Sequence, residues 1–221
     1  MNNIESESAG AVDDTRSDAP PIPSTPPRAC ELSMALLGET RDFARVFGRA
    51  APLAVEIGCG GGRTVIGMAL QRPEWNYIGV ERAGEYYRIL VERAEKRALR
   101  NLRISRTEAA YLINRFFPDA SVTEYHIYFP DPWPKKRHHK RRLFSEHFCA
   151  ELRRTLIKGG MLNFATDHAE YYNELLPRLR AALTVEEHPQ PWEDAPAGRT
   201  NYEIKYLKQG RPIYRLLAKN V

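Results

Sequence analysis

From Leu53 onward the chain alternates short apolar runs with longer segments of helical period, and no other feature constrains its fold as tightly. Residues 53–57, 76–80, 102–105, 122–129 and 161–165 have the length and the apolar or alternating composition of strands. Residues 63–71, 83–99, 108–117, 143–157 and 168–183 lie between and after them and read as helices, with Pro73 stopping the first and Lys158-Gly159-Gly160 predicted as a turn. Such alternation requires right-handed crossovers and a largely parallel sheet covered on both faces. Two further strand candidates, 201–206 and 213–217, flank Gln209-Gly210 as a hairpin turn. The expected fold is therefore α/β, doubly wound, with a mostly parallel seven-stranded sheet, helices on both faces and an antiparallel C-terminal edge hairpin.

Residues 1–30 differ in kind. They are rich in Ser, Pro, Asp and Glu and have no periodic apolar face, so they are expected to be a disordered tail ahead of one domain spanning 31–221. The tail carries a net −3, so the total of +5 leaves +8 on the remainder. A basic body favours an anionic partner. Cys30, Cys59 and Cys149 lack metal-ligand spacing, which argues for a reducing compartment and against a zinc site or a disulfide framework. No apolar run approaches the roughly 18 residues that cross a bilayer, and no signal-peptide core is present. The expectation is a cytoplasmic protein with no membrane partner.

Glu56-Ile57-Gly58-Cys59-Gly60-Gly61-Gly62 falls where the first strand hands over to the first helix. Glycines there allow positive φ and close backbone approach, at the crevice where doubly wound sheets bind cofactors. Arg63 stands where a dinucleotide fingerprint needs a last glycine, and the Lys-Ser/Thr of a phosphate loop is missing. Glu56, inside the strand, discourages a pyrophosphate and suits a cationic or amino-bearing ligand. Glu81, ending the second strand, stands where an acid binds ribose hydroxyls in nucleotide folds. A tightly packed turn with an ordinary helix-start acid is the plainer alternative.

The fourth strand runs into Phe129-Pro130-Asp131-Pro132-Trp133-Pro134-Lys135, and a block of cations follows. Of the eight residues from Lys135 to Arg142, six are Lys or Arg and two are His. Such a block cannot be buried unpaired. It suits a phosphate backbone beside an acidic, aromatic-lined pocket, or else a solvated loop. Asp131 reads as a site carboxylate or a turn residue between prolines, and Asp167 as a site carboxylate or a helix N-cap. Trp133 reads as a loop anchor rather than a base platform, and His126 as structural.

The E-x-G-x-G-x-G turn with its second acid resembles Rossmann-like S-adenosylmethionine methyltransferases. With F-P-D-P-W-P-K and its basic run, Ala165-Thr166-Asp167 and Thr200-Asn201-Tyr202-Glu203, the chain over residues 31–221 resembles the bacterial tRNA (guanine-N7-)-methyltransferases. The resemblance implies transfer of the methyl group of S-adenosylmethionine to a guanine in the tRNA variable loop, leaving S-adenosylhomocysteine, with no metal and no DNA partner. It implies a cofactor site of Glu56, Gly58, Gly60, Glu81, Glu108 and Asp131, with Glu108 standing where the family commonly has Asp. It implies substrate contacts from Lys135, Asp167, Thr200, Asn201, Tyr202 and Glu203, tRNA contacts from Arg137, His138, His139, Lys140, Arg141 and Arg142, and Asp131 as the catalytic carboxylate. Guanine N7 already carries a lone pair, so the demands are alignment and tolerance of a purine that becomes cationic. Alternatives are a methyltransferase of the same fold acting on another RNA or a small molecule, and a non-catalytic RNA-binding protein.

Overall fold

A computed structural model describes residues 30–187 and 200–221; the tail expected over 1–30 lies, but for Cys30, outside them. Two short helices open the described chain, α1 (Met34–Thr40) and α2 (Phe43–Phe47), capped by Ser33 and Asp42. Five strand–helix units follow: β1 (Leu53–Ile57) with α3 (Arg63–Gln71), β2 (Asn76–Val80) with α4 (Gly84–Lys96), β3 (Leu102–Ser105) with α5 (Ala109–Phe116), β4 (Val122–Tyr128) with α6 (Glu146–Thr155), and β5 (Leu156–Thr166) with α7 (Ala169–Ala182). The chain then forms β6 (Thr184–Glu187), α8 (Asn201–Lys208) and β7 (Tyr214–Lys219). No helix among the described residues is long and apolar enough to cross a membrane.

The seven strands lie in the order β3-β2-β1-β4-β5-β7-β6. Strands β1 to β5 pair in parallel, whereas β7 runs antiparallel to both β5 and β6. The order reverses between β1 and β4, so the carboxyl ends of these strands frame the crevice where such sheets bind ligands.

Two layers of apolar side chains follow from the period of two along each strand. On one face Val55, Ile57, Ile78, Val80, Tyr125, Ile127, Leu162, Phe164, Leu216 and Ala218 join one core with side chains of α1, α2, α5, α6 and α7. On the other, Ala54, Tyr77, Leu102 and Ile104 pack with Val65, Met68, Leu90 and Val91 of α3 and α4. That second core stops at β1. On the same face Glu56 of β1 and Glu124, His126 and Tyr128 of β4 replace apolar residues. Tyr128 Oη lies 2.9 Å from His126 Nδ1, His126 Nε2 lies 3.1 Å from Glu124 Oε2, and Arg72 Nη2 donates to the same carboxylate oxygen at 3.0 Å. Burial works to raise the Glu124 carboxyl, but the hydrogen bonds from His126 and Arg72 outweigh it and hold it at about 2. His126 is thus bonded on both ring nitrogens within the sheet, in keeping with its structural reading.

Three expectations need correction. The segment from Asn201 is a helix, not a strand, so the antiparallel edge is built from β6 and β7 with α8 between them. Thr200 Oγ1 accepts from the Glu203 N–H at 3.0 Å, and that cap starts a helix. Gly210, read as a hairpin glycine, lies at φ 65° just past the C-terminus of this helix. The predicted turn at Lys158-Gly159-Gly160 lies inside β5, where the β4–β5 register shifts between Val122 and Glu124. A bulge absorbs the extra residues, with Gly159 at φ 79°.

Candidate active site

The glycine turn connects β1 to α3 with Gly58, Gly60 and Gly62 at φ 78°, 52° and 80°. A Cβ on Gly58 or Gly60 would meet nothing within 4 Å, so this side of the turn is open space above the sheet. Gly58 N–H donates to Val80 O at 2.8 Å, which ties the turn to the end of β2. Glu81 completes the tie, with Oε2 accepting from Gly60 N–H at 2.8 Å and Oε1 from Ala83 N–H at 2.7 Å. The acid expected at a ribose therefore braces the glycine turn through one oxygen and the start of α4 through the other.

Glu56 is 4% exposed, and its Oε2 is buried without a hydrogen-bond partner. Burial is the main force pushing its carboxyl from the ordinary 4.5 up to about 8. The Val65 backbone N–H opposes that rise, the Glu81 charge adds to it, and the Thr64 side chain opposes it. An orphaned carboxyl oxygen beside an open backbone turn fits a cationic amino group, so the residues present suit S-adenosylmethionine. Cys59 lies within the turn. Burial and the charges of Glu56 and Glu81 push its thiol well above the ordinary range, which disfavours the thiolate.

Glu108 caps α5, accepting from Ala110 N–H at 3.2 Å and Tyr111 N–H at 2.8 Å. Like Glu81, it spends its carboxylate on backbone donors.

The loop after β4 turns sharply. Phe129 at φ 51° and Trp133 at φ 43° take left-handed conformations that bulky residues avoid. Strain of this kind persists only where surrounding structure imposes it. Here Phe129 N–H donates to Ala165 O at 2.7 Å, and its ring lies 5.5 Å from Tyr206 and 6.0 Å from Tyr202 of α8. Trp133 lies edge-on to His138 at 5.8 Å and under the Arg141 guanidinium at 5.0 Å, which fits the anchor reading. Asp131, between the two strained positions, is exposed.

The cation block forms a 3-10 helix, Lys136–Arg141, preceded by exposed Lys135. Lys136, Arg137, Lys140 and Arg141 are exposed, and His138 and His139 half-buried. Arg142, grouped with them from the sequence, points inward. Its side chain is 1% exposed, ion-paired with Glu174 and with Glu170 at 3.2 Å, and its Nε donates to Pro132 O at 2.8 Å. Arg142 therefore clamps the Asp131 loop onto α7 and is not presented to a polynucleotide. His139, Glu170 and Glu174 bring potential metal-ligand atoms within 4.8 Å of one another, but the Arg142 guanidinium already engages both carboxylates.

Asp167 follows β5, and its side chain is 12% exposed and ion-paired with Arg211. The N-cap of α7 is His168, whose Nδ1 accepts from Tyr171 N–H at 3.3 Å, so Asp167 does not cap that helix. Within 200–203, Thr200 caps α8, Asn201 Oδ1 accepts from Arg63 Nη1 at 3.3 Å, and Tyr202 is half exposed. Glu203 is buried against Arg215 at 2.5 Å, a contact that fixes α8 to β7. Asn201 thus joins α8 to the start of α3, and Phe129 joins it to the β4 loop. Arg142, Arg211 and Arg215 were not singled out for these ties by sequence reasoning. For α8 itself the signal was present, since Thr200-x-x-Glu203 is a helix-start pattern.

A family model described as "Putative methyltransferase" matches residues 50–216. The chain is 37% identical over 182 residues to a tRNA (guanine-N(7)-)-methyltransferase of Alkalilimnicola ehrlichii, covering 81% of this chain and 77% of that protein. It is 40% identical over 183 residues to the Psychromonas ingrahamii protein of the same name, covering 81% and 75%. Among solved structures it resembles an antibiotic-related methyltransferase at TM-score 0.57 and 16% identity, covering 80% of this chain and 90% of that one. A 16S rRNA (adenine(1408)-N(1))-methyltransferase from Catenulisporales acidiphilia matches at TM-score 0.56 and 20% identity, covering 81% and 90%. At these identities the structural matches speak to the fold alone.

Proposed function

The chain belongs to the tRNA (guanine-N(7)-)-methyltransferase family, and from that premise we propose how its crevice methylates N7 of a guanine in the tRNA variable loop. The protein is an S-adenosylmethionine-dependent tRNA methyltransferase. When bound, the cofactor supplies an electrophilic methyl group on a sulfonium centre. Glu56 would pair with its amino group, the open side of the Gly58–Gly60 turn would admit its amino-acid end, and Glu81 and Glu108 would line its nucleoside end. Because both acids already bind backbone N–H groups, they serve mainly by shaping that end of the crevice.

The observation that carries the reading is the continuity of the β4 loop. One segment, strained at Phe129 and Trp133 and clamped by Arg142, presents Asp131 and then runs directly into Lys135 and the exposed cations. Grip on a polyanion and a carboxylate at the strand ends are thereby held in fixed relation. Guanine N7 attacks with its own lone pair, so no residue has to remove a proton first. As the purine gains positive charge, Asp131, with Asp167 on the neighbouring strand, accepts hydrogen bonds from the base and stabilises that charge. Lys136, Arg137, Lys140 and Arg141 hold phosphates, and Tyr202 offers an aromatic face.

Asp131→Asn tests this. It keeps the loop and removes the charge, so tRNA binding should persist while single-turnover methyl transfer at saturating enzyme falls by on the order of 100-fold. Transfer at the wild-type rate would reduce Asp131 to a turn residue. Mass mapping of the methylated tRNA should place 7-methylguanosine in the variable loop, and a product elsewhere would overturn that assignment.

A further inference from the structure

Arg211 is neither part of the cation block nor of the Thr200–Glu203 segment, yet it meets Asp167. The helix end places it there. Arg211 N–H donates to Tyr206 O at 3.0 Å and Gly210 N–H to Leu207 O at 3.0 Å, the paired bonds of a Schellman closure, with Gly210 at φ 65°. The closure folds Arg211 back over its own helix, and its guanidinium carbon lies 4.3 Å from the centroid of the Tyr206 ring. From that seat its Nη2 is ion-paired with Asp167 Oδ2. Tyr206 in turn packs edge-on against Phe129 at 5.5 Å, at the root of the Asp131 loop.

Arg211 is 44% exposed and Asp167 12%, so the pair stays open to solvent on the arginine side and its attraction is partly screened. Its geometry, however, is specific. A planar guanidinium lying on an aromatic ring is pre-organised, and a lysine could not reproduce it. We propose that Arg211 is a positioning residue for methyl transfer: held over the Tyr206 ring, it fixes the Asp167 carboxylate at the end of β5 so that it faces the guanine. Arg211 acts through Asp167, and the Asp167–Arg211–Tyr206–Phe129 contacts keep the β5 and β4 loops in one arrangement. The inference rests on the reading of Asp167 as a carboxylate that meets the base.

A double-mutant cycle tests it on the full chain with S-adenosylmethionine and a tRNA transcript. Asp167→Asn, Arg211→Met and the double variant are compared by single-turnover transfer, tRNA binding, cofactor binding and melting temperature. Arg211→Met should slow transfer on the order of 10–100-fold, as expected when a positioned group is displaced by about an ångström. Cofactor affinity and melting temperature should remain near wild type. In the Asp167→Asn background the Arg211 change should add almost nothing, because residues acting as a unit are not additive. Should Arg211→Met fail to fold, Arg211→Lys runs the same cycle, keeping charge and losing the stacked geometry, with a smaller loss of the same non-additive kind. Losses that multiply, or a wild-type rate in the Arg211 variant beside an impaired Asp167→Asn, overturn the inference alone. A wild-type rate in Asp167→Asn overturns the substrate role of Asp167, and the inference with it.

Discussion

Replacing Glu56 by Gln should make the ligand-free protein more stable at alkaline pH. The Glu56 carboxyl keeps its proton in the fold up to about 8, whereas the ordinary value is 4.5. Between those values the folded state binds more protons than the unfolded chain. The stabilisation is therefore complete below 4.5, declines as pH rises and is lost above 8. At about 1.4 kcal/mol per pH step, ionising the buried carboxylate costs on the order of 5 kcal/mol. For a chain of this size about 1 kcal/mol moves the melting temperature by roughly 2–4 °C, so the full effect is on the order of 10 °C. Gln has nearly the same shape and never ionises. Melting curves of both proteins without ligand, taken at pH 5, 6.5 and 8.5, should nearly coincide at pH 5 and separate progressively, with the Gln variant melting higher. Parallel pH dependences would refute the reasoning, because burial would then not be holding the proton. A corollary joins the fold to the ligand. Pairing Glu56 with a cationic amino group requires the carboxylate, so cofactor binding at pH 7 should release a proton. Calorimetry in buffers of different ionisation enthalpy would register it.

Other variants separate architecture from grip. Arg142→Met should cost about 1.5–3 kcal/mol in chemical denaturation, because it removes the charge-assisted bonds to Pro132 O and Glu170 and frees the Asp131 loop, while Glu174 keeps Arg178. Changing Arg137, Lys140 and Arg141 together to Gln should leave melting unchanged and flatten the salt dependence of tRNA binding by a slope of roughly 2–3; an unchanged slope would make the block a solvated loop. Gly62→Ala should destabilise by about 2–4 kcal/mol in the same denaturation assay, since a Cβ there collides with Leu90 Cδ1 and the residue sits at φ 80°.

The strand ends that frame the crevice were legible in the sequence because each of the five parallel strands ends in an apolar or alternating run followed by turn or cap residues. The placement of Gly58, Glu81, Asp131 and Asp167 follows from that topology alone. What escaped was local ambiguity and distant pairing. Tyr202, Ile204 and Tyr206 have the alternation and residue types of a strand, yet Tyr202 and Tyr206 are also one helical turn apart. The Thr200 cap and the Gly210 closure decide for the helix. Thr184–Glu187 carries little apolar signal, and β6 exists because β7 gives it a partner. Arg142 looked like one more cation in a run, because the acids that bury it stand 28 and 32 residues further along.

The position of β7 between β5 and β6 has a consequence for how the molecule is made. Among the described strands, β6 pairs only with β7, which leaves the ribosome after it. Until Tyr214–Lys219 has been translated, β6 has no neighbour to join, the buried Glu203 has no Arg215, and α8 has no fixed seat. The cofactor-side strands β1 to β5 can associate earlier, as domains growing from the N-terminal side tend to do. Synthesis thus assembles the glycine turn, the Asp131 loop and the cation block first and α8 last, so a nascent chain interrupted before β7 holds a formed glycine turn while the Thr200–Glu203 segment still lacks its fixed seat.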